Sequence, residues 1–516
     1  MDPLAVLLAL SPVIVILLLL TLRRTPADVA GLIGWVFTVA VACLYFQTPL
    51  SVALRASLSG VVASLPIALV VATSILQVTI MIETGALARV VVLIKSIAPK
   101  DRVVQIMLIN VGFGTLLTAL GAVPVSILPP IMLALGYSSF AAIALPAIGY
   151  DALCTYALLG IPVVVFASFV GQQVEEVGGY FARYMPVIST CIALGMLWLV
   201  GKWRLVWKGM VPAVITGLTA GFIAIGMNSL GLVTLTGIAA GAGVIVVMLL
   251  FLKVTGKPLR DRAVLSEGDR AVEKEMPLGV ALSPWILLTI LALLVNAPFL
   301  PLFEFTFTQL AMPLEIIPGS PEKVRLLWQA YFLILVSTVL ALPFLKPTRS
   351  QIKTSLHKWL QRAPRPALAA AVFFAIAYVI NHSGKGTDWV LAYPSHNMVY
   401  VLATAAAAVF GPLYPAVAPF LGLLGGFISG SETSSIAMLT ALQMETARRI
   451  GANAILIAAA SGIGGGLASV ISPAKLQNAA ASIDRIGEEA EVFRSTFVIA
   501  LVITGVCAVL TVLWAF

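Results

Sequence analysis

The chain reads as an all-α polytopic membrane protein built of two related halves, and three observations say so. Of its 516 residues 60% are hydrophobic and only 10% charged, and its mean hydropathy is +1.06, outside the range of soluble domains of this length. Apolar runs of about 18 or more residues, enough for a helix to cross about 30 Å of hydrocarbon, recur from residues 4–22 to residues 493–516. Runs in both halves are broken by glycine and hydroxyl residues, as in re-entrant hairpins and broken helices. We expect about 12 to 14 crossings, counting segments that enter and return. A barrel is excluded, since its strands would alternate in polarity over about ten residues.

The first run ends in Arg23 and Arg24 with no positive charge before it, so it reads as a retained span with its N-terminus outside, not a cleaved leader. Spans follow to residue 46 and over 60–82, then a basic amphipathic piece over 86–102. Residues 103–136 are apolar but interrupted by GFGTLLTALGAVPV at 112–125, and the run 140–170 carries Pro146, Gly149, Asp151 and Pro162. Spans at 184–200, 209–227, 231–252 and 279–297 bracket the charged segment KVTGKPLRDRAVLSEGDRAVEKEM. That segment reads as a cytoplasmic linker, 253–277, between an N-terminal half, 1–252, and a C-terminal half, 278–516. The loop from Asn296 to Glu322 is rich in proline and acid and is placed outside, while the basic stretch 346–365 is placed inside. Spans at 323–345, 366–381 and 397–411 lead to GGFISGSETSSIAML at 425–439.

The formal net charge of +9 is dispersed through short loops such as Lys202, Arg204 and Lys208, the positive-inside pattern and not a nucleic-acid surface. The partner implied is the lipid bilayer, and the location a cell membrane crossed many times. Four cysteines (Cys43, Cys154, Cys191, Cys507) and three histidines lie scattered, without metal or disulfide spacing, so no metal or cofactor is expected. Nothing resembles a phosphate-binding glycine loop followed by lysine, which argues against ATP drive, and no nucleophile, base and orienter trio suggests an enzyme.

The halves also match internally. The motif region 103–165 can be laid over 415–482, bringing Gly112 to Gly426, Gly136 to Gly451 and Gly149 to Gly464. Repeats of broken helices are the pattern of secondary transporters. The basic flanks Lys100/Arg102 and Arg448/Arg449, with the span count, favour the same side for both copies.

Non-helical backbone at membrane depth leaves N–H and C=O groups that protein, water or ligand must answer. In residues 428–435 glycine permits a break, the hydroxyls of Ser429, Ser431, Thr433, Ser434 and Ser435 can donate, and a helix starting near Ser431 presents free N–H groups to a small anion. The same residues also read as an ordinary N-cap with an acid in the first turn. Glu432 differs in kind, because an ionisable group among membrane helices is expensive; out of water it is more stable protonated, which makes it a candidate proton carrier. Asp151 is the second such acid, its alternative being a loop residue between two short spans. Lys475 either snorkels to an interface or faces Glu432 across a cavity. Glu83 reads as interfacial. Ser461 and Gly465, in the glycine-rich run 461–466, either pack helices closely or line the substrate path. No arginine sits inside an apolar run nearby, so a carboxylate would be held by helix ends and hydroxyls.

GFISGSETSSIAMLTALQ, followed by RRIGANAILIAAASGIGGG, ISPAKLQNAAASI and EEAEVFRSTF, resembles the C-terminal signature of the lactate permease family, whose members take up lactate and glycolate with protons. The likeness is clear over 420–504 and looser over 112–165. It implies an ion-transporter type fold and a small carboxylate substrate carried with a proton, or with Na⁺ if the hydroxyls and broken-helix carbonyls coordinate it. On this basis Gly112, Gly114, Thr115 and Thr118 and residues 429–435 would face the carboxylate, and Glu432 or Asp151 would carry the proton. Three departures stand out. The family's aspartate in the GS-acid-TSS motif is Glu432 here, the asparagine after TSS is Ile436, and the glutamate before the N-terminal glycine motif falls at Leu108 or Leu116. Asp151 is then the acid that would take the missing glutamate's place. The competing readings are another organic anion such as a dicarboxylate, with Lys475 as the extra cation, and an ion channel.

Overall fold

The computed structural model describes residues 2–23, 25–97, 101–259, 265–295, 300–302, 304–485 and 487–516. Arg24, Lys100, Asn296 and residues 260–264 of the linker lie outside the described residues. Helix makes up 81% of the protein. Among the described residues nine helical segments are long and apolar enough to cross a bilayer, and five shorter apolar helices accompany them. A lipid-facing chain forms helices because each then satisfies its own backbone. The all-α polytopic class therefore stands, with one addition. Met312–Ile317 and Ser320–Val324 pair as an antiparallel β-hairpin, in the loop expected outside, where water can satisfy the strand edges.

Helix Leu50–Glu83, 34 residues long, serves as a ruler across the molecule. At its C-terminal end Lys358 Nζ pairs with Glu83 at 2.6 Å, and Gln351 Nε2 donates to the Glu83 carbonyl at 2.8 Å, so the basic helix Arg349–Arg362 lies there. Helix Ala86–Ser96 docks the linker on the same face: Arg89 Nε donates to the Met276 carbonyl at 3.0 Å, Lys95 pairs with Asp269 at 3.0 Å, and Lys257 pairs with Asp101. At the opposite end Arg55 Nε donates to the Ile316 carbonyl, and Ser59 Oγ donates to Glu322, each at 3.0 Å. The linker and the basic helix thus share one face, and the β-hairpin occupies the other. Glu83 sits where an interfacial residue should.

Two hairpins enter from these faces. Helix Arg102–Ile106 continues through a π-helical stretch, Met107–Phe113, into Gly114–Ala119, turns at Gly121 and returns as Pro124–Ala134. Its two ends meet again where Tyr137 OH donates to the Arg102 carbonyl at 3.3 Å. Helix Ser139–Gly149 follows, then a 3₁₀ stretch Tyr150–Tyr156, positive φ at Leu158, Leu159 and Gly160, and helix to Val170. In the C-terminal half Tyr414–Ser429 reverses at Gly430 into Glu432–Arg449, with Tyr414 OH donating to Gln443 Oε1 at 2.7 Å. Helix Ala454–Leu467 then passes through a 3₁₀ turn, Ala468–Ile471, into Pro473–Ala481. Gly136 and Gly451 both take a left-handed φ, two residues before the N-caps Ser138 and Asn453.

The hairpin bases lie on opposite faces, not on the same one. Helix Met185–Ser229 kinks at Gly201–Lys202, and near that kink Gly209 packs on Val103, at the base of the first hairpin. At the far end of the 185–200 segment Tyr184 meets Trp514 edge-on with ring centroids 5.0 Å apart, and next to Trp514 the Ala515 carbonyl accepts from the Asn453 amide at 2.8 Å, at the base of the second. The flank Arg448/Arg449 misleads because Arg449 is answered locally, by Glu445 at 2.8 Å and by the Tyr400 ring at 4.0 Å. It is not a loop charge of the kind that sets orientation.

Candidate functional site

Glu432 opens the helix that follows the second hairpin's tip. Gly430, at φ +68°, ends the preceding helix in a conformation that glycine adopts without penalty. Ser431 caps the next helix, its Oγ accepting from the Ser434 amide at 3.4 Å. The Glu432 side chain is nevertheless 4% exposed and points away from solvent. Oε1 accepts from Thr155 Oγ1 at 2.7 Å, whereas Oε2 has no hydrogen-bond partner among the described residues. A Cβ on Gly466 would stand 2.6 Å from Oε2. The seat is therefore made from three places: the 430–431 tip, the 150–160 break and the end of helix Ala454–Leu467.

Several of the expected substrate hydroxyls bond the backbone. Ser429 Oγ donates to the Gly425 carbonyl at 2.8 Å and the Ser431 carbonyl at 2.9 Å, and Ser435 Oγ donates to the Gly422 carbonyl at 3.0 Å. Thr433 and Ser434 are buried and are not tied to carbonyls in this way. The glycine-rich run settles largely as packing: a Cβ on Gly464 would lie 2.0 Å from the Pro419 carbonyl oxygen, and one on Gly465 2.8 Å from Ser435 Oγ. Ser461 Oγ accepts from Gln443 Nε2 at 3.0 Å and belongs with Tyr414 to the hairpin's own scaffold. Gly466 alone of that run faces the acid.

Asp151 sits in the 3₁₀ stretch of the other half, 4% exposed. Ser469 and the Val470 backbone lie beside it and Lys475 and Glu432 are within electrostatic reach, yet neither oxygen is in hydrogen-bond geometry with any described group. Lys475 does not snorkel away. Its Nζ donates to Ser469 Oγ and stands 5.1 Å from the Tyr150 ring centroid, and Ser469 Oγ is 3.8 Å from Cys154 Sγ. The two breaks thus bring together Asp151, Cys154 and Thr155 from one half with Glu432, Ser469 and Lys475 from the other.

The N-terminal motif is placed differently from its expected role. Gly112 lies within the π-helical stretch, where a Cβ would meet Ile245 at 2.9 Å, and Gly114 opens the next helical segment against Tyr150. Thr118 Oγ1 donates to the Gly114 carbonyl at 2.8 Å. The π turn absorbs the glycines without freeing a helix end, so the chain leaves the helix at 120–123 and not at 112–118. Thr115 is 3% exposed, and its hydroxyl has no partner among the described residues. The segment braces the 150–156 stretch from behind.

Thr155, Ser469, Tyr150 and Asn110 were not singled out by sequence reasoning. Asn110 is fully buried with its Oδ1 unpartnered, and Gly149 packs against its backbone. Thr155 had one visible signal, since it lies four residues after Asp151 inside an apolar run. The others acquire meaning only from contacts across the fold.

A family model described as L-lactate permease matches residues 5–516. The chain belongs to the L-lactate permease family. It is 27% identical to the glycolate permease GlcA of Escherichia coli (strain K12) over 99% of this chain and 96% of that one. To the L-lactate permease of the same strain it is 27% identical over 92% and 90%. Among solved structures, that of Neisseria gonorrhoeae MtrF, titled as illuminating a class of antimetabolite efflux pumps, is similar at a TM-score of 0.43 and 13% identity, over 87% of this chain and 81% of that one; so slight a likeness supports nothing further. The chain is thus a multi-pass protein of the cell membrane. Within this permease the family departures are also seated: Ile436 is buried, packing on Gly462 at 3.1 Å from where its Cβ would be, and Leu108 is fully buried.

Proposed function

We propose that this permease is a secondary active transporter that imports small monocarboxylates, lactate and glycolate first, by proton symport with alternating access. The observation that carries the reading is Glu432, a buried carboxyl at a hairpin tip, tied by one oxygen to the other half of the chain through Thr155. An intramembrane acid between two moving breaks is placed to take up a proton on one side and release it on the other. The motif regions are in this reading an inverted repeat: two hairpins with bases on opposite faces, each with its tip beside the break of its own half, Gly121 near Leu158 and Gly430 near Ser472. Inverted repeats of broken helices support rocking of one part against another around a fixed site. Moving a monoanion with one proton is electroneutral, so a pH gradient and not voltage drives accumulation.

The test is uptake of labelled lactate into liposomes containing the purified protein, under an imposed pH gradient, an imposed Na⁺ gradient, or neither, alongside Glu432→Gln. Accumulation that follows the pH gradient and disappears in the variant supports the proposal. Accumulation on Na⁺ alone replaces the coupling ion, and absence of lactate uptake under either gradient removes the substrate. Conductance far above carrier turnover would make it a channel.

A further inference from the structure

Three groups at the meeting of the two breaks are left incomplete by the protein itself. Asp151 is 4% exposed, and although Ser469 and the Val470 backbone lie beside it, neither oxygen is in good hydrogen-bond geometry with a described group. Glu432 Oε2 is in the same condition. Lys475 lies within electrostatic reach of both acids but makes no ion pair with either among the described residues; its ammonium donates instead to Ser469 Oγ, with the Tyr150 ring 5.1 Å away. An ammonium has three donors, so two remain. A buried acceptor without a donor is costly, and an ammonium beside buried acids that closes no pair with them calls for an explanation.

The helix end at 431–432 is a poor place for an incoming carboxylate by comparison. Its Ser434 amide is already taken by Ser431, and the first-turn side chain is itself an acid. The break at 468–472 instead presents Lys475 one turn beyond it, with Ser469 between its ammonium and the 150–156 stretch that carries Asp151.

Resting on the transport reading above, we infer that Lys475 holds the carboxylate of a 2-hydroxy monocarboxylate, while Asp151 accepts the hydrogen bond of the hydroxyl on the neighbouring carbon. Such a ligand completes both groups at once: charge-assisted N–H···O bonds to the ammonium and an O–H donor to the unpaired acid. A plain monocarboxylate satisfies only Lys475 and leaves Asp151 as it was. Sites built to pair a substrate hydroxyl reject analogues that lack it far more strongly than apolar pockets reject a missing methylene.

The experiment is exchange of labelled for unlabelled substrate across liposomes at equal pH on both sides, where no net proton movement is required. Lactate, propionate and lactamide are compared as competitors on the unaltered protein, then on Lys475→Gln, Lys475→Arg and Asp151→Ala. The unaltered protein should prefer lactate over propionate by at least tenfold, and lactamide should compete at least tenfold more weakly than lactate. Lys475→Gln should weaken lactate and propionate alike by at least tenfold, with Lys475→Arg recovering part of the loss, and Asp151→Ala should bring the lactate-to-propionate ratio toward one. Equal competition by lactate and propionate on the unaltered protein needs no variant to interpret; it would mean that water or another group satisfies Asp151, and it overturns the inference. So would lactate exchange in Lys475→Gln equal to that of the unaltered protein. Either result leaves the transport reading in place, whereas absence of any lactate exchange by the unaltered protein removes that reading and the subsite with it.

Discussion

Gly464→Ala tests the packing that sets the register of the whole site. Helices Tyr414–Ser429 and Ala454–Leu467 approach so closely that a Cβ at Gly464 would lie 2.0 Å from the Pro419 carbonyl oxygen and 2.8 Å from its carbon. Both atoms are backbone, so no rotamer change relieves the overlap, and the helices must separate by about 1 Å to restore a contact of roughly 3 Å. Overpacking of this kind costs about 1–3 kcal/mol. Against it stands the gain from replacing glycine by alanine in a helix, about 1 kcal/mol. Gly505, in helix Glu489–Trp514, isolates that gain, because a Cβ there meets nothing within 4 Å. Thermal unfolding of the purified protein should therefore move in opposite directions, down for Gly464→Ala and up slightly for Gly505→Ala. Lactate uptake should fall in the first variant only, since a shift of helix Ala454–Leu467 also moves Gly466 and Ser469 relative to Glu432. If the two variants rise together, the helices are not in contact at Gly464, and the seat of Glu432 derived from that packing is wrong.

Thr155→Val keeps the shape of the side chain but removes the 2.7 Å hydrogen bond to Glu432 Oε1, a loss of about 1–3 kcal/mol in the arrangement that joins the halves; pH-driven uptake should drop several-fold while the protein still purifies as a folded species. In the linker, burial pushes the Asp269 carboxyl up, but the Ser266 amide and hydroxyl and the Lys95 ammonium outweigh it and hold it below the ordinary value. A depressed carboxyl contributes stability above its unfolded pKa and loses it as pH falls through the folded one, so limited proteolysis should cut residues 253–277 faster only below about pH 4. Exposed ion pairs contribute about 0–1 kcal/mol, so Lys358→Ala at the Glu83 pair should leave thermal stability within about 1 kcal/mol of the unaltered protein. Single cysteines replacing the exposed caps Ser138 and Asn453, in a background lacking native cysteines, should react with a membrane-impermeant reagent from opposite sides of oriented vesicles; labelling of both from one side would sink the inverted arrangement.

The apolar spans, the charged linker and the break at Gly430 were legible because each rests on a local property: length of apolar run, charge density, and the one residue type that turns freely. The site itself was half legible. Glu432 and Asp151 stood out as acids in apolar surroundings, a one-residue signal. Their partners did not, because a threonine or serine in a membrane helix usually bonds its own backbone, as Thr118 and Ser429 do here, and only the fold shows that Thr155 and Ser469 bond across it. The interruption read over 112–125 is there, but it falls at 120–123, because the helix accommodates Gly112 and Gly114 with a π turn before it breaks. Charge counting gave the wrong relation between the hairpins, since it cannot tell a basic residue neutralised by Glu445 and Tyr400 from one that faces a cytoplasmic surface. The β-hairpin was invisible for the opposite reason: its residues are short, mixed and proline-containing, and it exists because Arg55, Ser59 and Tyr378 hold Ile316 and Glu322.

Glu432 and the cation Lys475 come from the same half, while the second acid, Asp151, comes from the other. Glu432, Ser469 and Lys475 all follow Gly430, and Asp151, Cys154 and Thr155 all precede Gly160. Across that line run the Thr155–Glu432 bond and the Cys154–Ser469 contact, so any motion of one hairpin and broken helix against the other must break or remake them. In the proposed cycle a carboxyl bonded across the boundary between the halves, as Glu432 is to Thr155, changes its environment with each excursion, whereas one bonded within its own half would ride along unchanged. In the proposed cycle a proton on Glu432 removes the charge that most needs Thr155, and a substrate on Lys475 and Asp151 bridges the boundary in its place. Proton and substrate then act on the same few contacts, and neither one alone restores both. Coupling on this account needs no long path through the protein, because the two ligands compete for, and complete, a single junction between the halves.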